Sequence, residues 1–134
     1  MQDIISLYRN YNHYNHLTDE DLETYLQPSI NLNQYKKHYK NNKLIGFTNW
    51  AYLSDNDSEN FKNTGDIINW NSGNNLWHIE TICISNLKNI ISWTKNNLTK
   101  KFGVGRSINW LRTDQKQIYK YLKIKTKDNW LWAV

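Results

Sequence analysis

A chain of 134 residues fits one compact domain, residues 1–134. Seven Trp and nine Tyr supply bulky core material and exclude a disordered chain, which needs few aromatics. The net charge of +5 suits an acidic partner, whether an acidic protein, an anionic membrane or a nucleic acid, and its sign alone does not choose among them. Cys83 is the single cysteine, so an intramolecular disulfide and a cysteine metal cluster are both excluded. The N-terminal residues lack the apolar core of a signal peptide, and no apolar run approaches the ~20 residues that cross a bilayer. Together these features predict a cytoplasmic protein.

In chain order, Ile4, Ile5 and Tyr8 at helical spacing predict a short helix over residues 2–9. A polar, aromatic stretch follows, containing His13 and His16. Thr18 is then the expected N-cap of a second helix, with Asp19, Glu20 and Asp21 at the positive end of its dipole and Pro28 as its stop. Residues 33–39 and 44–53 read as strands around an Asn41-Asn42 turn. Residues 55–60 read as a polar loop. Residues 77–85, WHIETICIS, read as a third strand. Strict alternation puts His78, Glu80 and Ile82 on one of its faces, and Trp77, Ile79 and Thr81 on the other. Residues 87–102 carry an amphipathic helix that ends on Lys100, Lys101 and Gly103. Residues 107–112 read as a strand, residues 115–123 as a short helix, and residues 128–134 as a last strand. The order predicts an α/β fold with a mixed sheet flanked by helices, similar to the N-acetyltransferase (GNAT-like) architecture. There two late parallel strands splay apart and admit the donor's pantetheine arm.

Candidate chemistry is sparse. No HExxH, no Cys/His zinc spacing and no nucleophile elbow is present, so neither a metal nor an enzyme nucleophile is expected. Gly103-Val104-Gly105 follows a helix and lacks a third glycine, so it is not a dinucleotide loop. Glu80 is the lone acid in an apolar strand. Such a carboxylate either faces solvent or is paired, and one partner it can serve is a histidine whose working tautomer it fixes. Lys36, Lys37, Lys100, Lys101, Lys123 and Lys125 interleave with Tyr and Trp, which suits docking of an acidic protein or stacking of a single strand of nucleic acid.

Three segments, residues 27–36, 43–54 and 71–82, carry an ordered set of signals. A Pro ends a helix and a Gln34-Tyr35 pair starts a strand. Next come Ile45-Gly46-Phe47, then Trp50-Ala51, and finally Ser72-Gly73-Asn74 ahead of Trp77. In this order they resemble the RTX-toxin-activating lysine acyltransferases, the hemolysin-activating type, over residues 4–122. The resemblance implies transfer of a fatty acyl group from acyl carrier protein, as its phosphopantetheine thioester, to a lysine ε-amine of an RTX protoxin. No cofactor would be bound permanently, no nucleic acid is expected, and there is room for a homodimer.

It also implies a catalytic histidine and a catalytic carboxylate. The histidine falls on His13, with His16 as its alternative. The family's Ser-Pro and Arg around that histidine are absent here. The family aspartate falls on Glu80, which keeps the charge on an arm one methylene longer. Trp50, Trp77 and Arg112 are the expected substrate contacts. The resemblance leaves two rival readings, an acyltransferase for another amine or peptide, and a non-catalytic basic binding module.

Overall fold

The computed structural model describes residues 1–113 and 119–127, without the side chains of His13, Arg112, Thr113, Tyr119 and Lys120. A five-stranded mixed sheet runs in the order β1 (Tyr35–Lys40), β2 (Lys43–Leu53), β3 (Asn75–Cys83), β4 (Ser107–Thr113), β5 (Tyr119–Lys125). All neighbours are antiparallel except β3 and β4, which are parallel. Parallel neighbours need a long crossover, and α4 (Leu87–Phe102) supplies it.

Helices α1 (Gln2–Tyr8), α2 (Asp19–Asn31) and α3 (Asp55–Thr64) cover one face, and α4 covers the other. Strand β2 alternates between them. Phe47 packs with Ile4, Tyr8 and Leu22 beneath α1 and α2, and Ala51 and Leu53 pack with Phe61 of α3. Trp50 turns the other way, onto Leu98 of α4. Gly46 allows α4 to lie close, because a Cβ there would come within 2.6 Å of Ile90 Cδ1.

Most elements follow the sequence. Thr18 caps α2 in a reciprocal box with Asp21, each side chain bonding the other residue's backbone N–H at 3.0 Å. Thr18→Ala is expected to lower stability by about 1 kcal/mol, read from the shift of the denaturation midpoint. Asn41 and Asn42 both hold positive φ, 52° and 64°, as a tight two-residue hairpin requires.

Four expectations change. Pro28 lies inside α2, which runs to Asn31; in the last turn a proline forfeits one backbone bond without breaking the helix. The expected loop at 55–60 is the start of α3, capped by the Ser54 hydroxyl. The expected helix at 115–123 is strand β5 where it is described, from Tyr119 on. The alternation of β3 is broken by a bulge: Asn49 pairs with Glu80 and Trp50 with His78, leaving Ile79 without an opposite residue. The expected strand over 128–134 lies outside the described residues.

The segments that carried the resemblance have structural reasons. Gln34 is buried, and its Nε2 donates to the carbonyls of Trp50 (3.3 Å) and Trp70 (3.2 Å). Ser72 Oγ accepts from the Ser54 amide at 2.9 Å, and the Ser72 amide donates to the Tyr52 carbonyl at 2.7 Å. Gly73 is pressed so closely on this corner that a Cβ would lie 2.5 Å from Ser54 Cα. Since backbone would have to move, Gly73→Ala is expected to cost about 1–3 kcal/mol, measured by chemical denaturation.

A carboxylate held by three tyrosines beside the histidine turn

Glu80 leaves the β3 backbone toward α1 and α2, and three phenols converge on it. Tyr8 of α1 donates to Oε2 at 2.9 Å and Tyr25 of α2 to the same oxygen at 3.0 Å. Tyr14 donates to Oε1. Burial pushes the Glu80 carboxyl up to about 7, while the Tyr8 hydrogen bond pulls it down. The residue keeps some access to solvent. A carboxylate that titrates near neutrality is suited to exchange or stabilise a proton. The same burial, with the Glu80 charge, holds the Tyr8 hydroxyl well above the usual phenol range, so it stays a donor.

The chain between α1 and α2 is pinned against this carboxylate. Tyr11 precedes and Tyr14 ends a single 3-10 turn, Asn12–Tyr14, in which His13 sits. The Tyr11 hydroxyl accepts from the Cys83 amide at 2.6 Å and also bonds the Cys83 carbonyl. The Tyr14 ring lies edge-on to Tyr8, centroids 4.9 Å apart. Arg9 closes the loop from outside, donating to the Leu17 carbonyl at 2.8 Å and bridging to Asp19 at 2.5 Å. The turn bearing His13 is therefore anchored on β3 at both Glu80 and Cys83. The His13 side chain lies outside the described part; His16 is exposed one turn further on.

Two of the expected substrate contacts, Trp77 and Trp50, are packed in the core. Trp77 is 1% exposed, packs edge-on to Phe61 at 5.1 Å, and donates from Nε1 to Ser58 Oγ at 2.9 Å. Trp50 is 4% exposed in the core under α4, with the Lys101 ammonium 4.6 Å from its ring centre. Arg112 is in β4, its side chain outside the described part.

Past His78 the sheet opens. Among the described residues, strands β3 and β4 pair at Trp77 with Asn109 and at His78 with Trp110. The rest of β3, from the bulge at Ile79 onward, has no ladder partner in β4 among the described residues. Four tyrosines and an arginine that build the site were not singled out as site residues from the sequence. A signal existed for part of them: Tyr8, Tyr11 and Tyr14 recur every three residues, the repeat that aligns side chains on a tight helical turn.

Among the described residues no group of His, Cys, Asp and Glu is arranged to hold a metal ion. No described helix is long and apolar enough to cross a membrane. A model of the RTX toxin acyltransferase family matches residues 1–127. The chain is also 38% identical over 80 residues to an uncharacterized protein of Synechocystis sp., in an alignment covering 55% of this chain and 54% of that protein. The chain thus spans about half the length of the curated relative it matches. With the family model matched along nearly its whole length, the chain belongs to the RTX toxin acyltransferase family.

Proposed function

We propose that residues 1–134 form a single acyltransferase domain that moves a fatty acyl group from the thioester of acyl carrier protein to a lysine ε-amine of an RTX-type protoxin. The observation that carries the reading is the cage around Glu80. A carboxylate offers about four acceptor positions, and the three phenols leave one open, on the oxygen that Tyr14 bonds. Tyr14 adjoins His13 in the pinned turn, so His13 is the ring we assign to the open position.

The chemistry follows. A lysine ammonium must lose one proton to solvent before it attacks a thioester, and its nitrogen must shed a second as the amide forms. His13, as the neutral ring, takes the second proton, and Glu80 accepts the other ring N–H and stabilises the imidazolium. Attack on the carbonyl carbon and loss of the thiolate complete the transfer with no enzyme nucleophile. The divergence of β3 and β4 is the slot for the pantetheine arm, with Trp50 shaping its wall under α4 and Arg112 at the end of β4. Lys36, Lys100 and Lys101 suit the acidic carrier protein, and the encounter would weaken with salt. The cytoplasm, where charged carrier protein is made, is the fitting compartment.

The test is incubation with acyl carrier protein bearing a labelled fatty acyl chain, together with a protoxin fragment and a short lysine peptide. Label in a hydroxylamine-resistant amide on a protoxin lysine is the expected product. Label on the peptide alone would reassign the acceptor, and no transfer to either would overturn the reading.

A further inference from the structure

On the sheet face opposite Glu80, four side chains form an unbroken polar line across β1, β2 and β3. His38 Nε2 lies 2.9 Å from Thr48 Oγ1, which lies 3.1 Å from Thr81 Oγ1, which lies 2.7 Å from His78 Nε2. The bulge at Ile79 creates the line, since it turns His78 to the same side as Thr81. Proton transfer by His13 and Glu80 makes no use of it.

Counting protons fixes how the line is ordered. Three contacts need three protons, and the two hydroxyls supply two. One ring must donate from Nε2. Were both rings to donate, one hydroxyl proton would be left without an acceptor among the described residues, which buried groups avoid. One histidine therefore donates and the other accepts, and all donors point the same way. The accepting ring carries its proton on Nδ1, which has no hydrogen-bond partner among the described residues for either histidine. Burial lowers both rings to about 4, with the Lys36 charge adding to the effect at His38. Both are neutral at pH 7, so the line can switch tautomers without creating charge.

His78 sits at the last residue pair before β3 leaves β4, while His38 lies on the outer strand β1. We propose that His78 protonates the departing thiolate, and that Thr81, Thr48 and His38 resupply it from the outer edge of the sheet. This rests on the acyl-transfer reading above. As the C–S bond of the tetrahedral intermediate breaks, its electron pair goes to sulfur, and the His78 Nδ1 proton moves to sulfur. Thr81 gives its proton to His78 Nε2, Thr48 to Thr81, and His38 Nε2 to Thr48. His38 Nδ1 takes one proton from solvent. Both rings end neutral with exchanged tautomers. After the thiol leaves, one proton entering at His78 and one leaving at His38 reverse the hops.

The test compares two donors of one acyl chain, its pantetheine thioester and its thionitrobenzoate thioester, whose thiolate departs without needing a proton. Thr81→Val and Thr48→Val keep side-chain shape and cut the line at two points. On the pantetheine thioester each is expected to lose about 10²-fold in kcat, and on the aryl thioester about twofold or less. Equal losses on both donors, or none on either, would overturn the relay. Nitrogen-15 spectra of the free protein give a readout independent of transfer: His38 is expected as the Nε2–H tautomer and His78 as Nδ1–H. Finding Nε2–H on both rings would overturn the relay even in an active enzyme. A wild-type protein that transfers from neither donor would instead overturn the acyl-transfer reading, and the relay's role with it.

Discussion

Glu80→Gln is expected to cut acyl transfer by about 10²–10⁴-fold while the protein stays folded. The amide keeps the shape and still offers an oxygen to the phenols of Tyr8 and Tyr25. It cannot carry the charge that would stabilise an imidazolium. The stability profile distinguishes this from damage to the fold. Burial raises the Glu80 carboxyl to about 7 in the native state, above the unfolded value of about 4.3. For a raised acid, the stabilising contribution is fully present below the unfolded pKa and is lost as pH rises through the folded one. The wild type is therefore expected to lose up to ~3 kcal/mol, relative to Glu80→Gln, between about pH 4 and pH 8. The wild-type transfer rate should rise over the upper part of that window as Glu80 ionises. Matched melting curves and initial rates at both ends of the range test both statements. A variant with wild-type turnover would remove Glu80 from the chemistry.

The fold was legible wherever a local signal and a burial pattern agree. Helix α4 keeps its sequence-read limits because its apolar stripe and its glycine stop coincide. Helix α2 begins where Thr18 and its following acids say, because a capping box is a contact within four residues. Helix α3 gave no apolar stripe: only Ser58 and Phe61 are buried, so a solvated helix looks like a loop. For β5, YKYLKIK alternates with period two, a strand signal at odds with the helix expected over residues 115–123.

The site was half legible, for a related reason. Glu80 stood out as an acid that an apolar strand would not tolerate unpaired. Its partners did not, because Tyr8 lies 72 residues away and Tyr25 lies 55 away, on separate helices. The bulge is a property of pairing between β2 and β3, so strict alternation within β3 sent His78 to the wrong face. That one extra residue separates the two chemistries of β3. Glu80 goes to the tyrosines, and His78 and Thr81 go to the polar line under α4.

His13→Ala is expected to lose transfer by a factor comparable to Glu80→Gln, about 10²–10⁴, whereas His16→Ala should keep most of the wild-type rate. The argument is one of anchoring. A base must be held within hydrogen-bond reach of its proton, and a loop residue is held only as well as its neighbours. His13 lies between two tyrosines that bond β3, at Cys83 and at Glu80. His16 comes after the turn and is exposed, beyond the last of these contacts. Tyr14→Phe provides the link: it removes the phenol on Oε1 and should weaken transfer less than His13→Ala does. Added imidazole is expected to restore part of the activity of His13→Ala and to leave Glu80→Gln unchanged, since the carboxylate acts through a ring and a free ring replaces only the base. If His16→Ala is the dead variant and His13→Ala the active one, the base lies one turn further along the loop, and the open position on Glu80 serves a different donor.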